Sequence, residues 1–112
     1  PQEGYVAPPL DGIWATAPFL HNGSVPTVLS LLDSSKRPAF WTRSFDSNDY
    51  DPVALGWNFT ELPAGQDAEP NGGVRKKIYD TSKLGYANVG HTYGDALSEA
   101  DRAAVIEYLK TL

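Results

Sequence analysis

Between Leu10 and Leu32 the chain reads LDGIWATAPFLHNGSVPTVLSLL, and this run constrains the fold more than any other. It places Trp14, Phe19 and His21 close together, changes direction at Pro18 and at Asn22-Gly23, and starts a helix at Pro26. Holding such a loop in one conformation costs roughly 1–2 kcal/mol of backbone entropy per residue, so something must be packed against it.

The rest of the chain offers short elements. Nine Pro and ten Gly among 112 residues raise the share of irregular backbone and predict few regular elements joined by long ordered loops. Residues 1–12 read as an extended opening segment. Ser24 is a cap or flank for the first helix, Pro26 suits its first turn, and Val28, Leu29, Leu31 and Leu32 give it an apolar face; it should stop near residues 33–35, before Pro38. Ala39 to Phe45 has the composition of a strand, and Val53 to Phe59, reached through the turn-prone DSNDYDP, is its expected hairpin partner, lying on a helical core. Residues 62–73 read as a surface loop, followed by the basic cluster Arg75, Lys76 and Lys77 and the irregular run GYANVGHTYG. The terminal pattern is the clearest. Ser98 with Asp101 resembles a capping box, and Leu97, Val105, Ile106, Leu109 and Leu112 recur at helical spacing, predicting a helix from 98 to about 111. The expected fold is mostly α, with long ordered loops, this terminal helix and a small β-hairpin, in a single domain or part of one.

Composition excludes several function classes. A net charge of −5 and a pI near 4.8 argue against nucleic acid or an anionic membrane surface as partner, because both need a basic face. No apolar run reaches the 18 residues of a spanning helix. The absence of cysteine rules out disulfides, thiolate metal sites and covalent c-type haem attachment within the chain, and the absence of methionine removes the thioether as a ligand. His21 and His91 remain as the strong nitrogen ligands.

His91 sits in NVGHTYG, where Gly90 and Gly94 allow the backbone close approach to a flat ligand while the imidazole projects from a turn. The bland alternative is a surface histidine. For His21 the bland reading, a side chain bonded to a nearby carbonyl, carries more weight from the residues alone. Asp46, Asp49 and Asp51 lack the register of an EF-hand and read as turn formers. Ser24 and Ser98 read as caps, no Gly-x-Ser-x-Gly elbow is present, and GGVRKK lacks P-loop spacing. No nucleophile pairs with a base, so no catalytic residue is assigned.

The segment GIWATAPFLHNGSVP resembles the TAPY-[FL]-H-[DN]-G stretch that follows the haem-attachment motif in di-haem c-type cytochromes, the cytochrome c peroxidase and MauG-like superfamily. The ending LSEADRAAVIEYLKTL is similar to that family's terminal helix. With RPAFW, YDP and GHTYG, the wording is nearer to the branch containing bacterial rubber oxygenases than to the classical peroxidases. The family's Cys-x-x-Cys-His, whose His is the proximal ligand, has no counterpart here.

The resemblance implies a cytochrome c-like C-terminal portion of a longer, periplasmic or secreted bacterial oxidoreductase. Haem would be attached outside this chain, by an N-terminal part carrying Cys-x-x-Cys-His, and a redox partner would accept or supply electrons. Family members use Met, Tyr or His on the distal side, so the resemblance implies His91 as the metal ligand, with Tyr93 the other choice. His21 would stand at the haem edge, Trp14 and Phe19 would line the pocket, and Arg75 or Lys76 would meet propionates. The alternative is a haem-free module on the same scaffold that binds a partner protein or small molecule.

Overall fold

The computed structural model describes residues 3–112; residues 1 and 2 of the opening segment lie outside them. The first helix, α1 (Val28–Leu32), begins at Thr27, whose hydroxyl accepts a hydrogen bond from the Ser30 N–H. The expected start at Pro26 is two residues early. Pro26 and Thr27 are held extended, with the Pro26 carbonyl accepting from the Trp57 N–H at 3.0 Å and Thr27 bridged to Gly56. The first-turn N–H groups of a helix lack partners inside it, and here the Val28 and Leu29 N–H groups donate to the carbonyls of Leu55 and Ala54. That turn is itself built by Asp51, whose carboxylate accepts from the N–H groups of Val53 and Ala54. Asp51 is a turn former, as its composition context predicts.

Five strands follow α1: β1 (Phe40–Thr42), β2 (Tyr50–Asp51), β3 (Gly56–Trp57), β4 (Thr60–Glu61) and β5 (Tyr79–Asp80). The anticipated hairpin between 39–45 and 53–59 is not what forms. β1 is the middle of an antiparallel sheet ordered β4-β1-β5, while β3 pairs with β2. Trp41 faces Glu61 on one side and Tyr79 on the other. Between β4 and β5 lie a 3-10 turn (Gln66–Ala68) and the short helix α2 (Gly72–Arg75), capped by the Asn71 side chain. The last helix, α3 (Glu99–Leu109), starts where the sequence predicts, with the Ser98 hydroxyl accepting from the Asp101 N–H.

Phe19, Val25, Val28, Leu55 and Ile106 form the buried apolar core, each stabilising the fold by roughly 1.5–3 kcal/mol through removal from water. Phe19 and Val25 are bridged across the turn between them, and α3 contributes Ile106 while packing on α1. Beside this core Trp41, 2% exposed, stacks on Tyr79 at 5.0 Å and meets Phe59 edge-on at 6.3 Å; its indole N–H donates to the Ser24 carbonyl.

The expectation of a mostly α fold is corrected by this arrangement. Helix of all kinds takes 30% of the described residues and strand 13%. The physical reason is the proline and glycine spacing, which holds α1 to five residues and α2 to four. Chain between them is pinned by side chains instead of by regular ladders.

Candidate functional site

Both histidines lie at the surface, His21 on a turn and His91 in irregular chain. His21 is exposed and stacks on Tyr5, with ring centroids 4.4 Å apart. The next residue ties its turn to a distant loop: Asn22 donates through Nδ2 to the carbonyls of Gly85 and Ala87, at 3.1 and 2.8 Å. Its Oδ1 accepts from the Ser24 N–H, and its carbonyl accepts from the Tyr79 hydroxyl at 2.6 Å. His91, at the far end of that loop, is exposed with left-handed backbone (φ 48). Its ring meets Tyr93 at a centroid distance of 6.4 Å, tilted 64°. Its imidazole makes no hydrogen bond among the described residues.

Residues 85–97 form little regular structure, yet they are held every two or three positions. Arg37 donates to the carbonyls of Asn88, Gly90 and His91, and Asn88 donates to the Pro38 carbonyl. Asp95 accepts from the Ser34 N–H and hydroxyl at 2.8 and 2.6 Å. Arg102 of α3 donates to the carbonyls of Gly94 and Leu97 and pairs with Asp33 at 3.4 Å. The Ser34 hydroxyl holds the Asp95 carboxyl below the usual aspartate range, and the Ser35 hydroxyl does the same for Asp33. Backbone carbonyls that would otherwise face only water thus find fixed donors.

On its outer side this loop carries apolar side chains. Leu84, Tyr86 and Val89 are exposed, and Tyr93 is 88% exposed. Tyr5, which stacks on His21, and Val6 are exposed as well. Each imidazole has one aromatic neighbour, Tyr5 at His21 and Tyr93 at His91, and exposed apolar groups of this kind mark a surface suited to being covered.

The other expected site residues are spread more widely. Trp14 lies in a 3-10 turn (Ile13–Ala15), is 45% exposed, and accepts a hydrogen bond at its carbonyl from the Tyr50 hydroxyl. Phe19 is 5% exposed and belongs to the core. Arg75 ends α2, is exposed, and donates to the Pro70 carbonyl; among the described residues no hydrogen bond or ring contact links it to either histidine. Gly94, expected to give a ligand room, instead lets its backbone approach Leu32. No group of three or more His, Cys, Asp or Glu side chains is assembled for a metal ion among the described residues.

Two open grooves lie elsewhere. One of about 440 Å³ has Leu29, Val53, Ala103 and Ile106 along it with Lys36 and Glu99 at its rim. The other, about 310 Å³, shares Leu29 and Lys36 with it and reaches Trp57 and Phe59. His21, His91, Trp14, Tyr93 and Arg75 line neither.

The sequence marks no supporting role for Arg37, Asn88, Asp95 or Arg102. The Asn-Gly pair marks Asn22 as a turn residue. Nothing local foretells that its amide reaches residues 85 and 87, and an arginine that bonds only carbonyls leaves no charge pattern to find.

Residues 4–42 match a family model described as RoxA-like, cytochrome c-like. The match takes in Trp14, His21, Asn22 and Arg37 and ends before His91, so a cytochrome c-like relationship rests on the stretch that holds the histidine loop in place. Two proteins of Sinorhizobium fredii (strain NBRC 101917 / NGR234) are similar over nearly the whole chain. The uncharacterized protein y4iJ is 44% identical over 119 residues, which span 96% of this chain and 18% of that protein. The uncharacterized protein y4iM is 36% identical over 127 residues, spanning 97% of this chain and 27% of its own length. The chain therefore spans about a fifth to a quarter of these relatives.

Proposed function

We propose that this chain forms one wall of a haem pocket in a longer c-type oxidoreductase and serves electron transfer there. The observation that carries the reading is the loop 84–93: an imidazole without a protein partner among the described residues, exposed among Leu84, Tyr86, Val89 and Tyr93, and tied by Asn22 and Arg37 to the stretch that matches a cytochrome c-like family. These residues fit a haem in two respects. A neutral imidazole nitrogen is an established iron ligand, and an apolar surface covers a macrocycle. With no cysteine in the chain, the thioether links would come from an N-terminal part of the parent that carries Cys-x-x-Cys-His.

When bound, haem supplies one-electron chemistry at its iron. His91 would supply a nitrogen ligand to the iron, with Tyr93 beside it. His21, held face to face with Tyr5, would offer an N–H to the edge of the group. In this reading Trp14 would extend the apolar wall at the surface, Phe19 would support it from the core, and Arg75 would supply a cation for a propionate. The parent would be a peroxidase- or oxygenase-type enzyme of the periplasm or outside the cell, meeting a redox partner there.

The test is His91→Ala in the full-length protein. The low-spin absorption and electron paramagnetic resonance signal of one haem should be lost while circular dichroism is retained; an unchanged signal sinks the assignment.

The second reading, a haem-free module binding a small molecule, draws on the joined grooves over Leu29 and Lys36. It predicts a purified full-length protein without a haem Soret band.

A further inference from the structure

Every N–H of the Arg37 guanidinium ends on a backbone carbonyl. Nε donates to Ser30 at 3.1 Å, Nη1 to Asn88 at 2.6 Å and Gly90 at 2.7 Å, and Nη2 to Leu31 at 3.1 Å and His91 at 2.9 Å. A guanidinium has five such donors in a planar fork, and all five are used. Its charge has no carboxylate within ion-pair distance among the described residues.

The five acceptors come from two places. Ser30 and Leu31 lie in α1, whose terminal carbonyls lack partners within the helix. Asn88, Gly90 and His91 belong to the histidine loop, where left-handed backbone at Gly90 (φ 84) and His91 (φ 48) accompanies delivery of both carbonyls to the same side chain. For a residue with a Cβ this conformation is uncommon and persists where neighbours hold it. Arg37 is the neighbour that does so at His91.

We infer that Arg37 is the positioning residue of His91: by gripping the carbonyls on either side of the turn, it sets where the imidazole stands relative to the apolar wall. The inference rests on the haem-wall reading above. It gives a role to a side chain that need not touch the haem itself, and it joins the stretch matched by the cytochrome c-like family to a ligand outside that match. Lysine is a poor substitute, because an ammonium has three donors around one point and cannot serve the five carbonyls that the planar fork reaches.

The experiment compares the full-length haem protein with its Arg37→Ala, Arg37→Lys and His91→Ala variants. Amide hydrogen exchange is read over 84–93 and over 98–110, and the low-spin signal is read beside it. Arg37→Ala should speed exchange in 84–93 by about tenfold or more with 98–110 unchanged, and should move part of the low-spin signal to high spin, as His91→Ala does completely. Arg37→Lys should act in the same direction. If His91→Ala abolishes the low-spin signal and neither Arg37 variant alters it, the ligand reading stands and the positioning role is overturned. If His91→Ala changes nothing, the haem-wall reading falls and the positioning role with it. Should Arg37→Ala fail to fold, Arg37→Lys is judged alone by the same criteria. Equal acceleration of 84–93 and 98–110 in both variants would make Arg37 a general structural residue and also overturn the inference.

Discussion

Gly94→Ala probes the contact that seats the histidine loop on α1. A Cβ at Gly94 would lie 2.5 Å from the Leu32 carbonyl oxygen, 2.6 Å from its Cα and 2.9 Å from its carbonyl carbon. These are backbone atoms, so no flexible side chain can swing aside; either the turn Tyr93–Ala96 or the end of α1 must shift. Overpacking of this kind costs about 3 kcal/mol when the neighbour cannot yield. The lost freedom of the unfolded chain offsets roughly 0.7 kcal/mol. A net loss of about 2 kcal/mol remains, and a chain of this size loses about 4 °C of Tm per kcal/mol, or about 8 °C in all. Two other glycines serve as controls. Gly90 has open space around its missing Cβ but φ 84, so Gly90→Ala should cost about 1 kcal/mol through backbone strain alone. Gly72 has neither restriction, and Gly72→Ala should be neutral or gain about 0.5 kcal/mol. Urea and thermal unfolding followed by circular dichroism measure all three. A Gly94→Ala protein as stable as Gly72→Ala would refute the close packing of this turn on Leu32.

Ser98→Ala removes the hydroxyl that accepts from the Asp101 N–H and should cost about 1 kcal/mol in urea unfolding; no loss would mean that α3 does not begin there. Acid should weaken the fold. Asp33, Asp49 and Asp95 are held below the usual range chiefly by the hydroxyls of Ser35, Ser44 and Ser34, and at Asp80 burial pushes upward but the Ser82 hydroxyl and the N–H groups of Gln66 and Ser82 prevail. Folded values below unfolded ones give stabilisation that is complete above about pH 4 and is lost as pH falls through the folded values. The urea midpoint should therefore fall below about pH 4, and a midpoint that rises on acidification contradicts the assignment. At the other extreme, burial raises the Tyr50 and Tyr79 hydroxyls, so their contribution holds below about pH 10 and is lost above it, which an alkaline titration of unfolding would show.

The parts legible in the sequence are those whose signals are local. Ser98, three residues before Asp101, marks the start of α3, and Asp51 two residues before Val53 marks a turn. Strand pairing was not legible. β1 has three residues and its partners two each, too few for an alternation to distinguish Thr60–Glu61 and Tyr79–Asp80 from the nearer Val53 to Phe59. Pro26 reads as a helix start because its ring suits that position, yet tertiary bonding to Trp57 and Gly56 holds it extended. At the candidate site the imidazoles and aromatics were visible as residue types. Their supports, Asn22 and Arg37, act across 63 and 51 residues or more, a range over which one sequence carries no periodic trace.

The sheet built around β1 also sets the pace at which the chain can fold. Phe40 must find Asp80, and Trp41 must find both Tyr79 and Glu61, so loops of roughly twenty and forty residues close before any ladder rewards them. Such non-local topologies fold in about milliseconds to seconds, whereas helical bundles of similar size take microseconds to milliseconds. α3, with its own cap and only local hydrogen bonds, needs no such search to close its ladder, although its packing on α1 is what holds it. The long search for β1's two neighbours is the step during which Trp41, Tyr79 and Phe59 stay uncovered, and dilute, slow refolding is the condition under which this protein should be recovered intact.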